Sequence, residues 1–189
     1  MNFMKVINNP SIFNFDTDEY SEEVVVSRKL FKDIKNIYVN ADNISDETEM
    51  YHVYMHTKGL PTPGNLNWGM TVMHPVYVNG ECNMTRGHWH ENRECVEYYY
   101  GVSGHGLLML MDEEGNTWAE EVFRGSLHHI DGHLAHRLIN TSDEDMKVLA
   151  CWGCDAGHDY AAVEKMPFGY RVFKENENLK FTKEKNNEN

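Results

Sequence analysis

The sequence predicts an all-β fold, a barrel or sandwich, on three observations. Apolar residues from Tyr51 onward fall in short runs of strand length, rich in Val, Tyr, Met and Thr. Glycine, Asp and Asn clusters divide these runs at close spacing. A chain of 189 residues, without internal repeats, suits one domain with a core of useful size.

Taken in order, residues 1–50 are acidic and mixed, and form an N-terminal arm expected to pack on the barrel or on a partner subunit. Within the arm, "EEVVVSRKLFKDI" reads as a strand or short helix leading into "NIYVN". The barrel proper is expected over 51–175. Its strands are read in "MYHVYMHT", "LNWGMTVMHPVYV", "ECVEYYYGVSG", "GLLMLMD", "TWAEEVF", "SLHHI", "HRLIN" and "MKVLACWG". "DEEGN" at 112–116 and "NTSDED" at 140–145 are expected turns between strands. The few short helices are expected near 17–36 and just past 156. The segment 176–189, ending in "TKEKNNEN", is charged, Asn-rich and expected to fray.

A formal charge of −13 argues against nucleic acid or an anionic membrane surface as a partner, and an anionic small ligand would need a local set of donors. No run approaches the roughly 20 apolar residues that span a bilayer. The opening "MNFMKVINNPSIFNF" lacks the apolar stretch of a signal peptide, so a cytoplasmic location is expected. "CWGC" at 151–154 has CxxC spacing, which serves zinc, redox chemistry or an ordinary strand end. Cys82 and Cys95 do not form a matching second pair, which favours the strand end.

The chemistry concentrates in "TRGHWHENRECVEYYYGVSGHG", residues 85–106. Side chains alternate along a strand, so His88 and His90 share a face about 7 Å apart at Cα, near enough to converge on one ion. Glu97 shares a face with Cys95 and Tyr99, opposite Val96, Tyr98 and Tyr100. A carboxylate on an inward face calls for a partner, and a cation is the obvious one. "GHLAHRLIN" offers His136 as a fourth donor. His52, His56, His74, His105, His128 and His129 are read instead as surface or satisfied core histidines.

These residues resemble the cupin motifs. The first motif is HxH, a spacer, Glu, six residues and Gly, matched by His88, His90, Glu97 and Gly104 with a longer spacer than usual. The second, G-x5-P-x-G-x2-H-x3-N, is matched by Gly125, His136 and Asn140, with Asp131 and His133 in place of the Pro and second Gly. "MTRGHWH", "VEYYYGVSGHGLLML", "AHRLIN" and "DAGHDY" further resemble the cupin-type, archaeal-like glucose-6-phosphate isomerases, over about Tyr51 to Phe173.

That resemblance implies a cupin jelly-roll β-barrel, paired as a homodimer, with one divalent metal per subunit on His88, His90, Glu97 and His136. Iron is the first expectation; manganese, nickel and zinc suit the same donors. It implies interconversion of glucose 6-phosphate and fructose 6-phosphate, with Glu97 as the base of an enediolate route; a hydride shift is the competing path. Substrate contacts carried over by position are Thr71, Thr85, Gly87, Tyr99, His158 and Tyr160. Arg86 replaces the usual Lys, with a strand parity that points it with His88. Cys95 and Trp152 stand where tyrosines are expected, so substrate preference could differ. An iron-dependent cupin dioxygenase and a non-catalytic sugar-binding cupin are the alternatives.

Overall fold

The computed structural model describes residues 7–57, 62–176 and 178–184. Its strands in chain order are β1 (Val25–Leu30), β2 (Glu49–His56), β3 (Leu66–Met73), β4 (Tyr77–Val78), β5 (Glu81–Cys82), β6 (Glu97–Ser103) and β7 (Gly106–Met111). There follow β8 (Thr117–Val122), β9 (Leu127–Ile130), β10 (Ala135–Asn140), β11 (Met146–Gly153), β12 (Tyr170–Glu175) and β13 (Asn178–Lys183). Among the described residues, helix is confined to one turn after β1, α1 (Phe31–Ile34) with a 3-10 turn behind it, and to α2 (Tyr160–Lys165). None is long and apolar enough to cross a membrane among the described residues.

The strands are antiparallel throughout and make a jelly-roll barrel of two layers. One layer is a six-stranded sheet ordered β1-β2-β3-β11-β6-β9. The other joins β10-β7-β8 to β13-β12-β5-β4 through the segment after β5, which bridges β10 at Met84↔Ile139 and His88↔His136. The core between the layers is rich in Met and Leu: Met50, Met73, Leu108 and Met111 are each fully buried. β7, "GLLMLM", lies between β8 and β10 and is buried along its whole length. Each such side chain stabilises the fold by roughly 1.5–3 kcal/mol over its exposed state.

Both expected turns form. Asp112 Oδ1 accepts hydrogen bonds from the backbone N–H of Glu114 and Asn116, and Gly115 takes a φ of +85°. In the second, the buried Asn140 donates through Nδ2 to Met73 and Glu144 carbonyls while its Oδ1 accepts from Ser142 N and Oγ. The second-motif asparagine thus locks a turn.

Three expectations differ in detail. β1 is an integral strand, paired with β2 from Val25↔Met55 to Leu30↔Glu49, so the arm ends before it. "LNWGMTVMHPVYV" is two strands, because Pro75 has no N–H to continue the ladder and β3 stops at Met73. The C-terminal segment is not frayed over 178–183, which pair with β12 from Tyr170↔Lys183 to Glu175↔Asn178. Residues 185–189 of "TKEKNNEN" lie outside the described residues.

The arm itself lies on the outer face of the six-stranded sheet. Phe13 packs edge-on to Tyr54 at 4.9 Å and tilted to Trp68 at 5.2 Å, and the Lys147 ammonium donates to Asp18 and to the Phe15 carbonyl.

Candidate metal centre and substrate cavity

Backbone pairing brings the four expected ligands together. His88 and His136 face each other across an antiparallel bridge, His88 N donating to His136 O at 3.2 Å and His136 N to His88 O at 3.0 Å. Their rings lie 4.3 Å apart, centroid to centroid. His90 lies two residues on, its ring 5.8 Å from His88 and 5.3 Å from His136. Glu97 opens β6 beneath them, with Oε2 at 3.2 Å from both His90 Nε2 and His136 Nε2. One ligand atom from each of the four lies within 4.8 Å of the others.

Hydrogen bonding fixes what these rings can hold. His90 Nδ1 donates to the Cys95 carbonyl at 2.8 Å, and His136 Nδ1 to the Leu134 carbonyl at 3.3 Å. Each carbonyl claims the ring proton, so each Nε2 is left as a bare lone pair aimed at a carboxylate. Lone pair against carboxylate is repulsive unless a cation sits between them. His136 Nε2 is buried and, though near Glu97, is off the line of a hydrogen bond and has no partner. Burial, with His136, His158 and His90 nearby, holds His88 well below the ordinary histidine pKa, which leaves it neutral as a ligand must be. For Glu97, burial acts upward, and its carboxyl is held below the usual range only if protons on His136 and His90 Nε2 face it; with those ring protons at Nδ1, a cation takes their place. The set fits a divalent cation.

The centre opens into a cavity of ≈ 270 Å³, just below the ~300 Å³ at which small-molecule sites begin. His88 and Glu97 line it; His90 and His136, each 1% exposed, stand behind them. Every expected substrate contact also lines it: Thr71, Thr85, Gly87, Tyr99, His158 and Tyr160. Thr85 Oγ1 accepts from Leu138 N at 3.0 Å, which leaves its hydroxyl hydrogen to donate. Burial raises Tyr99 well above the usual phenol value, so it is a neutral donor. His158 stacks on Tyr160 at 8° between planes, with its ring 4.4 Å from His88.

"DAGHDY" reaches the site because Trp89 and Asp159 exchange backbone hydrogen bonds, tying this loop to the HxH segment. Its other polar residues are structural. Asp155 accepts from Asn92 Nδ2 and the Cys95 thiol, and Asp159 caps α2 by accepting from Ala162 N. Cys95 therefore contributes its carbonyl to His90 and no thiol to the cavity. Trp152 does line the cavity, its ring lying flat on Gly69 where a Cβ would meet it at 3.0 Å.

Sequence reasoning missed Ser27, Lys29 and Tyr51, which line the same cavity. Ser27 and Lys29 are two apart on β1 and face inward, while Arg28 between them pairs with Glu49. Among the described residues Lys29 has no ion-pair partner. The one available signal was the S-x-K alternation, which is uninterpretable until β1 is known to belong to the barrel.

Among the remaining histidines, His105 and His129 are exposed and His128 is a satisfied core histidine, as expected. His128 is buried and satisfied by Glu120 and Ser126, whereas His52 is buried with Nδ1 on Glu49 Oε1 at 2.7 Å and Nε2 without a partner. Glu49, His52 and His74 form a second cluster, but Arg28 holds both Glu49 oxygens at 2.8 Å, which makes it an ion-pair network. All four cysteines are free, and Cys154 donates to Asn67 Oδ1, so "CWGC" is a strand end.

A jelly-roll barrel with three histidines and a glutamate converging beside its cavity defines a cupin whose donor set suits a divalent metal. The family model for glucose-6-phosphate isomerase (GPI) matches residues 28–189. The glucose-6-phosphate isomerase of Thermococcus onnurineus is 30% identical over 152 residues, covering 78% of this chain and 80% of that one. That of Thermococcus litoralis is 36% identical over 113 residues, 60% of each chain. That of Thermococcus kodakarensis is 31% identical over 137 residues, 72% of each. Among solved structures, Bacillus subtilis oxalate decarboxylase aligns at TM-score 0.45 and 20% identity over 57% of this chain and 26% of that one. The chain belongs to the glucose-6-phosphate isomerase family.

Proposed function

We propose that this chain interconverts glucose 6-phosphate and fructose 6-phosphate, with one divalent ion held by His88, His90, Glu97 and His136. Family membership supports the reaction. The observation that carries the residue assignment is one cavity that joins His88 and Glu97 to a concentration of anion donors: Ser27, Lys29, Thr71, Thr85, Arg86 and the Gly87 N–H. In a chain of charge −13 such a set needs an anionic ligand to explain it.

A bound divalent ion would supply Lewis-acid charge opposite the negative charge that develops on the substrate's oxygens. Iron(II) is the proposed native ion, and the three-imidazole, one-carboxylate set also suits manganese, nickel and zinc. The remaining work falls to side chains. Glu97 Oε2 faces the rings, whereas Oε1 has no hydrogen-bond partner among the described residues and is the oxygen available in the cavity. It takes the proton from C2 of the open-chain sugar and returns it to C1. Tyr99 and His158, both kept neutral by burial, flank the reacting carbons. The phosphate end sits among Lys29, Thr85 and Gly87. Trp152 and Tyr51 narrow the space and limit water.

Two copies are proposed to pair through the outward strip formed by Val96, just before β6, with Tyr98 and Tyr100 of β6 and Leu127 of β9, which are 43–67% exposed. Light scattering of the purified chain tests the pairing.

The reaction is tested with metal-stripped protein reloaded separately with iron(II), manganese, nickel and zinc. At least one should restore interconversion, and Glu97→Gln should abolish it. Absence of turnover with all four ions would refute the assignment.

A further inference from the structure

The segment between β5 and the HxH pair is irregular in a specific way. It bridges β10 at Met84↔Ile139 and again at His88↔His136, four steps on one strand against three on the other. Arg86 and Gly87 therefore oppose the single residue Arg137, which is a β-bulge. Gly87 takes a φ of +76° there, a left-handed conformation that glycine adopts without a side-chain clash. It also has no room for a side chain, since a Cβ would lie 2.9 Å from Phe168 Cε2 and 3.0 Å from Arg137 Nε.

Arg137 occupies the outer side of this bulge. Its Nη2 donates to the Arg86 carbonyl at 2.8 Å, Nη1 reaches Met84 Sδ at 3.0 Å, and the guanidinium lies over the Phe168 ring at 4.3 Å. It forms no ion pair among the described residues, and its Nε is buried without a partner. Burial pushes its pKa down to about 10. A cation enclosed by methionine, phenylalanine and a glycine is costly, and an apolar side chain would suit the same walls. Arg137 does not line the substrate cavity; it lines a second cavity of ≈ 190 Å³ on the far side of Arg86, Gly87 and Tyr160.

The peptide between Arg86 and Gly87 is planar and trans, so its C=O and N–H point in opposite directions. With the carbonyl held outward by Arg137, the Gly87 N–H is turned inward. That N–H has no hydrogen-bond partner among the described residues, and Gly87 lines the substrate cavity. A guanidinium on the oxygen end also strengthens the N–H as a donor, since bonds with one charged partner are about twice as strong.

We propose that Arg137 is a positioning residue for the substrate's phosphoryl group: by holding the Arg86 carbonyl it aims the Gly87 N–H into the cavity, and so favours phosphorylated over unphosphorylated ligands. This rests on the reading that the cavity takes a sugar phosphate. The device lies outside the cavity, where no contact with substrate would reveal it.

The test compares wild type with Arg137→Met, which fits the apolar walls, and Arg137→Lys, which keeps one donor. Arg137→Met should raise KM for the sugar phosphate, and Ki for inorganic phosphate, by roughly 10- to 100-fold, the range for losing a charge-assisted hydrogen bond. Turnover, metal content and Ki for sorbitol should stay within about twofold, with Arg137→Lys intermediate on phosphate alone. Separately, the Gly87 amide resonance of metal-free protein should shift on adding inorganic phosphate, and should do so at higher phosphate in Arg137→Lys. That measurement decides the matter if Arg137→Met does not fold. Equal losses for phosphate and sorbitol, or parallel loss of turnover and metal, would overturn the proposal and leave the isomerase reading intact. A wild type that neither isomerises sugar phosphates nor binds phosphate at Gly87 would overturn both.

Discussion

Removing the ion should loosen the barrel by a calculable amount. The ligands come from three separate segments: His88 and His90 before β6, Glu97 at its start, and His136 in β10. They are largely buried, with Glu97 at 5% and His90 and His136 at 1% exposure. An unfolded chain offers no equivalent site, so an ion at 100 times its Kd stabilises the native state by about 2.7 kcal/mol. For a domain of this size each kcal/mol moves Tm by about 2–4 °C, which gives a shift of about 5–11 °C. The assay is thermal unfolding of EDTA-treated protein, titrated with manganese, zinc, nickel and, under nitrogen, iron(II). His136→Gln keeps the size and polarity of the site while removing one imidazole, so its Tm should lie near that of the stripped wild type and respond weakly to metal. A wild-type Tm unmoved by millimolar divalent ions, or a full metal response in His136→Gln, would refute the reasoning.

Lys29→Met should raise KM for the sugar phosphate roughly two- to fivefold with little change in turnover, as expected for an accessible charge contact; unchanged steady-state KM would remove Lys29 from the phosphate set. The Glu49 network should set a pH window for stability. Burial alone would raise Glu49, but hydrogen bonds with Arg28, His74 and His52 hold it at about 2, so its contribution is present above about 4.5 and lost as pH falls toward 2. For His74, burial acts downward but Asp145 and Glu49 raise it, so its contribution is present below about 6.5 and lost as pH rises through the raised value. Wild type should lose on the order of 1 kcal/mol relative to Glu49→Gln on going from pH 5.5 to pH 3 in urea unfolding, solvent screening included; parallel curves would count against the network.

Much of the site was legible because alternation in strands is a rigid rule. The parity of "ECVEYYYG" placed Glu97 and Tyr99 inward and Tyr98 and Tyr100 outward, and the latter two are 48% and 43% exposed. The "DAGHDY" pair was legible only through family motifs, and His136, open as a fourth donor from its residue type, gained its place from the second motif, since nothing in their spacing from His88 says that they meet. Ser27 and Lys29 were hidden because a strand's inner face is defined by its neighbours, and β1 gains its neighbour from β2, some 20 residues away. Arg86 shows the limit of parity itself. Alternation points it with His88, and it does line the cavity, but its guanidinium lies over Tyr160 and pairs with Glu164.

The bulge explains that limit, and the metal centre depends on it. Directly opposed residues in an antiparallel pair project to the same side of the sheet, and a slip of one residue sends every side chain to the other side. If pairing ran on evenly from Met84↔Ile139, His136 would face Gly87, and His88 and His90 would project away from it. The extra residue moves the partner of His136 from Gly87 to His88, which brings all three imidazoles to one side. One insertion thus frees the Gly87 N–H for an anion and puts the HxH pair in phase with the third histidine. Deleting Gly87 removes the extra residue and leaves His88 the even partner of His136, so the deletion should keep about one bound ion per chain, with circular dichroism confirming a folded barrel, and should weaken phosphate inhibition because the Gly87 N–H is gone. Gly87→Ala retains the residue count and should keep its metal while losing stability to the clash with Phe168 and Arg137. Loss of metal from the folded deletion would show that register alone does not bring the imidazoles together.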